Sequence, residues 1–140
     1  MLYGRYEHTV DAKNRVFVPA KFKENIGNSF KLTYNNFNKC ILGYSNEEWT
    51  KFEEKIASLP TLKFEDFIRA IYSNTVDVQL DAQGRVVLPQ FLKEKVGIQK
   101  NVFFFGVGSH FEIWGQEEFN EKEKSVDMNK VKDFMIEMGF

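Results

Sequence analysis

The sequence predicts an α+β fold with pseudo-twofold symmetry, in which two strand-rich units share one core and helices lie at its periphery. Three observations carry this. First, Asp11-Ala12-Lys13-Asn14-Arg15-Val16-Phe17-Val18-Pro19 returns 70 residues later as Asp81-Ala82-Gln83-Gly84-Arg85-Val86-Val87-Leu88-Pro89. Residues 11–27 and 81–97 share eight identities in seventeen without a gap, and further on Tyr44 meets Trp114 and Trp49 meets Phe119 at the same offset. Second, β-branched runs flank the repeated motif. Third, apolar stripes at helical spacing follow each unit. Two copies are too few for a solenoid, so the halves must complete each other's core.

Residues 7–10 and 76–80, then 16–18 and 86–88, read as strands on either side of the Asp-x-x-x-Arg segment. That segment must turn. Asp favours the first position of a type I turn, and the fourth residue is Asn14 in one copy and Gly84 in the other, the types that best tolerate positive φ. The expectation is a β-hairpin closed by a type I turn with a bulge. Pro19 and Pro89 stand where a short helix begins, and Gly27 and Gly97 where it ends, with Phe22/Ile26 and Leu92/Val96 on the inner side. Two further strands per unit follow, residues 30–34 with 40–44 and 101–107 with 111–114. Trp49, Phe52, Ile56 and Leu59 then line one helix after a Ser45/Asn46 cap. Phe64, Ile68, Ile71 and Tyr72 line a second after Pro60, and Val131, Phe134, Met135 and Met138 a C-terminal one. These stripes read as core or subunit packing. The division expected is a first unit at 1–48, a helical connector at 49–74, a second unit at 75–118 and a C-terminal helix at 119–140.

The charge balance, 19 basic against 20 acidic groups, conceals an asymmetry. Residues 1–45 hold 7 basic and 3 acidic groups and 78–115 hold 4 and 3, whereas 46–77 and 116–140 each hold 4 and 7. The strand-rich units are therefore basic and the helices acidic. Arg5, Lys13, Arg15, Lys21 and Lys23 crowd the first motif and its helix, and Arg85, Lys93 and Lys95 echo them in the second. No apolar run approaches the roughly 18 residues that span a bilayer, and the start lacks a signal-peptide layout, so a cytoplasmic location is expected. One cysteine, Cys40, and two histidines leave no disulfide, no zinc set and no expected cofactor.

Two aspartates brought together by pseudosymmetry could share a proton. That chemistry uses an Asp followed by a hydroxyl residue and Gly, whereas Asp11 and Asp81 precede Ala-Lys and Ala-Gln. An Arg four residues on would also keep each carboxylate ionised. With no phosphate loop or nucleophile elbow in the sequence, no enzyme and no small-molecule substrate are expected. As a purely structural pair, Asp and Arg would close a hairpin. This explains the Asp better than the Arg, because the fifth position could be Lys, Thr or Val without loss of turn geometry. A guanidinium held by a carboxylate is a preorganised fork for guanine O6/N7 or for phosphate.

At these residues the sequence resembles the MraZ transcriptional regulators, built of two AbrB-like (SpoVT-AbrB) swapped-hairpin units with an Asp-x-x-x-Arg motif each. The resemblance covers essentially the whole chain. It rests on Met1-Leu2-Tyr3-Gly4, both motifs with Pro19-Ala20-Lys21 and Pro89, and Glu112-Ile113-Trp114. It implies a pseudo-twofold β-barrel of two such units with peripheral helices. It further implies a nucleoid-associated, ring-shaped homo-oligomer that binds short direct repeats in double-stranded DNA upstream of the division and cell-wall gene cluster, its own promoter included. Lys13, Asn14, Arg15 and Arg85 become DNA contacts, with Gln83 in place of Lys13 in the second copy, and Lys21 and Lys23 supply electrostatic attraction. Asp11, Asp81, Gly84, Pro19 and Pro89 hold the turns. The alternative is a protein-interaction ring whose arginines only close hairpins. An antitoxin of the same superfold ranks below both, because residues 116–140 read as a packed helix and not as a flexible tail.

Overall fold

The computed structural model describes residues 1–35 and 37–140. In chain order the elements are β1 (Leu2–Thr9), β2 (Arg15–Phe17), α1 (Ala20–Ile26), β3 (Ser29–Tyr34), β4 (Ile41–Ser45), α2 (Asn46–Ala57) and α3 (Glu65–Ser73). The second half gives β5 (Val76–Gln79), β6 (Arg85–Val87), α4 (Gln90–Val96), β7 (Asn101–Gly108), β8 (Phe111–Gly115), α5 (Gln116–Lys124) and α6 (Met128–Glu137). Six strands form an antiparallel sheet in the order β1-β7-β8-β4-β3-β5, while β2 and β6 make a separate two-stranded ribbon.

Local sequence explains the short elements. α1 and α4 start after Pro19 and Pro89 and stop at Gly27 and Gly97, whose φ values of 75° and 70° suit glycine. Helices of 7 residues are marginal alone. They persist because Phe22, Ile26, Leu92 and Val96 enter the common core. α2 carries the expected cap, with the Ser45 hydroxyl accepting from the Glu48 N–H at 3.1 Å.

The expected hairpins need correction. The turns form where predicted, but the strands they join do not pair with each other. β1 pairs with β7 of the other half, β5 pairs with β3, and β2 lies against β6 in the register Arg15↔Val87, Val16↔Val86, Phe17↔Arg85. A three-residue strand ended by proline cannot bury one face by folding back on its own neighbour. Laid against its copy, it places Val16 and Val86 opposite one another, and both are sealed from solvent. Each repeat thus surrenders its first strand to the other's sheet, and the halves interlock.

The ribbon's inner face, Val16 and Val86, joins the same hydrophobic cluster as Phe22, Phe30, Phe104, Phe111 and Ile113 of the helices and sheet. The architecture is an α+β arrangement of sheet, ribbon and six helices. No ladder closes β1 onto β5 among the described residues, so the barrel expected from the resemblance is not drawn by the strand pairing. Phe111 is the centre of the core, with ring centroids 5.5 Å from Phe22, 5.8 Å from Phe104 and 5.9 Å from Phe30. Its ring occupies the space a side chain would take on its ladder partner, Gly43, where a Cβ would sit 2.0 Å from the ring. Cys40 is fully buried, and burial pushes its thiol well above the ordinary range, consistent with a small core residue.

The helices divide. Phe119 of α5 packs 4.5 Å from Phe105 and 5.5 Å from Trp114, and the Arg5 guanidinium lies 4.1 Å from the Phe103 ring centroid beside them. The apolar residues of α6 are a correction to the packed C-terminal helix, since Phe134, Met135 and Met138 are exposed and none of its residues is buried. α3 also buries no residue, and Phe67 and Tyr72 face solvent.

The core assignment has a direct check in urea denaturation. Leu88→Ala is expected to cost about 2–5 kcal/mol, and Gly43→Ala about 1–3 kcal/mol through overpacking against Phe111. Leu62→Ala, at an exposed position, should leave the midpoint unchanged.

Candidate nucleic-acid interface

Each Asp-x-x-x-Arg segment is a clamp built around one carboxylate. Asp11 Oδ1 accepts the backbone N–H of Lys13 and of Arg15, both at 2.9 Å, while Oδ2 accepts Arg15 Nε at 2.7 Å. Asp81 repeats this with Gln83 N and Arg85 N at 2.9 Å and Arg85 Nε at 2.8 Å. The turns close through Asn14 N to Asp11 O and Gly84 N to Asp81 O, each 3.0 Å. Asn14 takes φ 61° and Gly84 φ 85°, which is why those two residue types occupy the fourth position. The backbone hydrogen bond from Arg15, reinforced by its side chain, holds the Asp11 carboxyl below its ordinary range, and Arg85 does the same for Asp81. A carboxylate so held stays ionised and accepts hydrogen bonds; it does not shuttle protons near neutral pH.

Of each guanidinium the clamp uses only Nε. Among the described residues the terminal guanidinium nitrogens of Arg15 and Arg85 have no protein partner, and their side chains remain 31% and 20% exposed. Strand alternation places Arg15, Phe17, Arg85 and Val87 together on the outer face of the β2–β6 ribbon, opposite the buried Val16 and Val86. Sequence reasoning expected two separate tips. The structure instead joins them into one surface, with the arginines diagonal across a ladder, a separation of roughly 7–8 Å. Two cations so close would repel, and the aspartate behind each one offsets that.

The surrounding groups are not equivalent. Lys13 and Gln83 are exposed at corresponding positions of the two turns, and Lys21 is exposed on α1. Asn14, expected as a DNA contact, turns its carboxamide toward α4, where Oδ1 accepts from Lys93 Nζ at 2.6 Å and Nδ2 donates to Gln90 Oε1 at 3.1 Å. Asn14 therefore anchors the first turn to the second half. Its counterpart is Gly84, so Lys23, the counterpart of Lys93, has no such acceptor, and its Nζ has no hydrogen-bond partner among the described residues. Gln90, Phe17 and Val87 were not anticipated as part of this surface, and Lys93 was anticipated only for its charge. The signal for Phe17 and Val87 was present, since apolar residues alternating with core-bound Val16 and Val86 had to point outward.

The comparisons with known proteins agree with this two-part construction. The family model described as "MraZ protein, putative antitoxin-like" matches residues 1–66 and 71–134. The chain belongs to the MraZ family. A transcriptional regulator MraZ of Caldanaerobacter subterraneus subsp. tengcongensis is 42% identical over 131 residues, covering 92% of this chain and 91% of that protein. Those of Clostridium beijerinckii and Clostridium acetobutylicum are 37% and 40% identical over 142 residues, each covering 99% of both chains. Among the described residues of this MraZ-family chain no group of three or more potential metal-ligating side chains occurs, and no helix is long and apolar enough to cross a membrane.

Because both clamp carboxyls are depressed in the folded protein, their stabilising effect is complete above the ordinary carboxylate range. It is lost only as pH falls through the lowered values. Carboxyl carbon shifts in an NMR acid titration should show Asp11 and Asp81 protonating below the ordinary aspartate range. In Asp11→Asn/Asp81→Asn the Arg15 and Arg85 amides should lose their acid-induced shift.

Proposed function

We propose that this chain is a sequence-specific DNA-binding transcriptional regulator that reads double-stranded DNA with the outer face of the β2–β6 ribbon. One observation carries the reading: two guanidiniums, each aimed by its own carboxylate and each with terminal nitrogens unpartnered among the described residues, lie side by side on a two-stranded ribbon. The major groove, about 12 Å wide, admits such a ribbon, and an arginine fork is complementary to guanine O6 and N7. Arg15 and Arg85 make base or phosphate contacts. Lys13, Gln83, Lys21 and Lys23 approach the backbone, and Asn14 positions the first turn. The names of the relatives, transcriptional regulator MraZ, support the role. The targets are short direct repeats upstream of the division and cell-wall genes, including the chain's own promoter, and the location is the cytoplasm and nucleoid.

The binding form is a ring-shaped homo-oligomer. Soluble monomers rarely expose extended apolar surface, yet α6 presents Phe134, Met135 and Met138, and α3 presents Phe67 and Tyr72. A head-to-tail contact through such helices leaves every basic ribbon free and repeats it around a ring, so weak contacts multiply along one duplex. Within each subunit, the units at 1–48 and 75–118 form the binding half, and the ribbon completes a barrel over the sheet.

Fluorescence anisotropy against a duplex from the region upstream of the chain's own gene, beside a scrambled duplex, tests the reading. Arg15→Ala and Arg85→Ala should each weaken binding about 5- to 150-fold at fixed salt, in line with roughly 1–3 kcal/mol for a bidentate base contact. Lys23→Ala should lower the slope of log affinity against log salt by about one. Equal, weak binding to both duplexes by every variant would leave the interaction-ring reading instead. In sedimentation, Phe134→Asp/Met138→Asp should shift the assembly to smaller species with the fold retained.

A further inference from the structure

The outer face of the ribbon holds four side chains, and only two of them are charged. Phe17 is 48% exposed and Val87 55%, at positions where a strand facing water ordinarily carries polar groups. Neither is needed by the core, which the same strands fill with Val16 and Val86 from the other side. Phe17 lies beneath Arg85, whose guanidinium carbon is 5.9 Å from the ring centroid, at the outer limit of a cation–π contact. That accounts for part of one ring and for none of Val87.

The register gives these residues a pattern. Each arginine faces an apolar partner across the ladder, Arg15 with Val87 and Arg85 with Phe17, and each strand alternates the two kinds two residues apart. Such neighbours on one strand face are separated by about 6.6 Å, close to two base-pair steps of about 3.4 Å. In the major groove the apolar feature of a base pair is the C5-methyl group of thymine. A ribbon entering the groove arginine-first would press Phe17 and Val87 against base edges, where they would desolvate a methyl group or meet polar edges they cannot satisfy.

We propose that Phe17 and Val87 are specificity-determining residues that read thymine methyl groups in the major groove beside the bases or phosphates held by Arg15 and Arg85. The inference rests on the DNA-binding reading above and adds to it a second kind of recognition, apolar instead of ionic. The positive neighbours select a polyanion as the occupant of this face. The acidic helices of a second copy would be the competing occupant, and that outcome is included below.

The test removes the methyl groups and nothing else. The full chain is titrated against the duplex from upstream of its own gene and against the same duplex with every thymine replaced by deoxyuridine. Phe17→Ser/Val87→Thr and Arg15→Ala/Arg85→Ala are titrated alongside. The unmodified chain should bind the uracil duplex roughly 4-fold more weakly per contacted methyl, or about 15-fold for two, from the transfer free energy of one buried carbon group. Phe17→Ser/Val87→Thr should bind the thymine duplex more weakly and no longer distinguish the two. Equal affinity of the unmodified chain for both duplexes would overturn the proposal while leaving DNA binding intact, because Arg15→Ala/Arg85→Ala would still abolish it; this comparison does not depend on any variant folding. A thymine preference that survives unchanged in Phe17→Ser/Val87→Thr would also overturn it, as would a shift of that variant to a smaller assembly with undiminished DNA affinity, which would assign the face to contact between copies. Absence of binding by the unmodified chain would remove the DNA reading and this inference together.

Discussion

Val16 and Val86 meet across the pseudo-twofold, and their burial requires that β2 and β6 come from different halves of the chain. The pairings of the first strand of each repeat also cross between the halves, β1 with β7 and β5 with β3, while β3–β4 and β7–β8 pair within one half. Because hydrophobic burial scales with apolar area withdrawn from water, two short units that could cover little alone gain most by exchanging strands. The exchange fixes where the motif sits. Its carboxylate clamps lie at the two ends of one ribbon, and its arginines emerge on the single face that the core leaves open.

The clamp divides labour between the two members of the motif. Asp11 and Asp81 use both oxygens on the backbone and on Nε, so their work is internal. Arg15 and Arg85 spend one guanidinium nitrogen on the fold, and among the described residues the other two have no partner. A lysine at the same place could answer the carboxylate, but it has a single charged centre and no second, diverging set of donors. That difference explains why a turn whose geometry tolerates many residues at its fifth position carries arginine twice.

Much of this was legible in the sequence. The repeat at an offset of 70 revealed the pseudosymmetry, Asn14 and Gly84 announced the left-handed turn position, and the prolines and glycines bracketed α1 and α4. The partners of the strands were not legible, because an Asp-initiated turn looks the same whether its flanking strands pair locally or separate. Only the global demand to bury Val16 and Val86 decides between the two. The anchoring role of Asn14 was not legible for a related reason. Its donor and acceptor partners, Lys93 and Gln90, lie 79 and 76 residues away, and nothing in the local pattern connects them. The C-terminal stripe was read as core or subunit packing and is not core, since periodicity records that a face is hydrophobic and not whether its cover belongs to the same chain.

Fusing two units into one polypeptide also permits them to differ. Lys13 corresponds to Gln83 and Asn14 to Gly84, and Lys93 is hydrogen-bonded to Asn14 where Lys23 lies against Gly84 with no hydrogen bond among the described residues. A dimer of identical units would present a ribbon unchanged by rotation through half a turn and could engage a site in either orientation with equal affinity. This ribbon has a head and a tail. Bound to DNA as proposed, a molecule so marked would favour one orientation on its site.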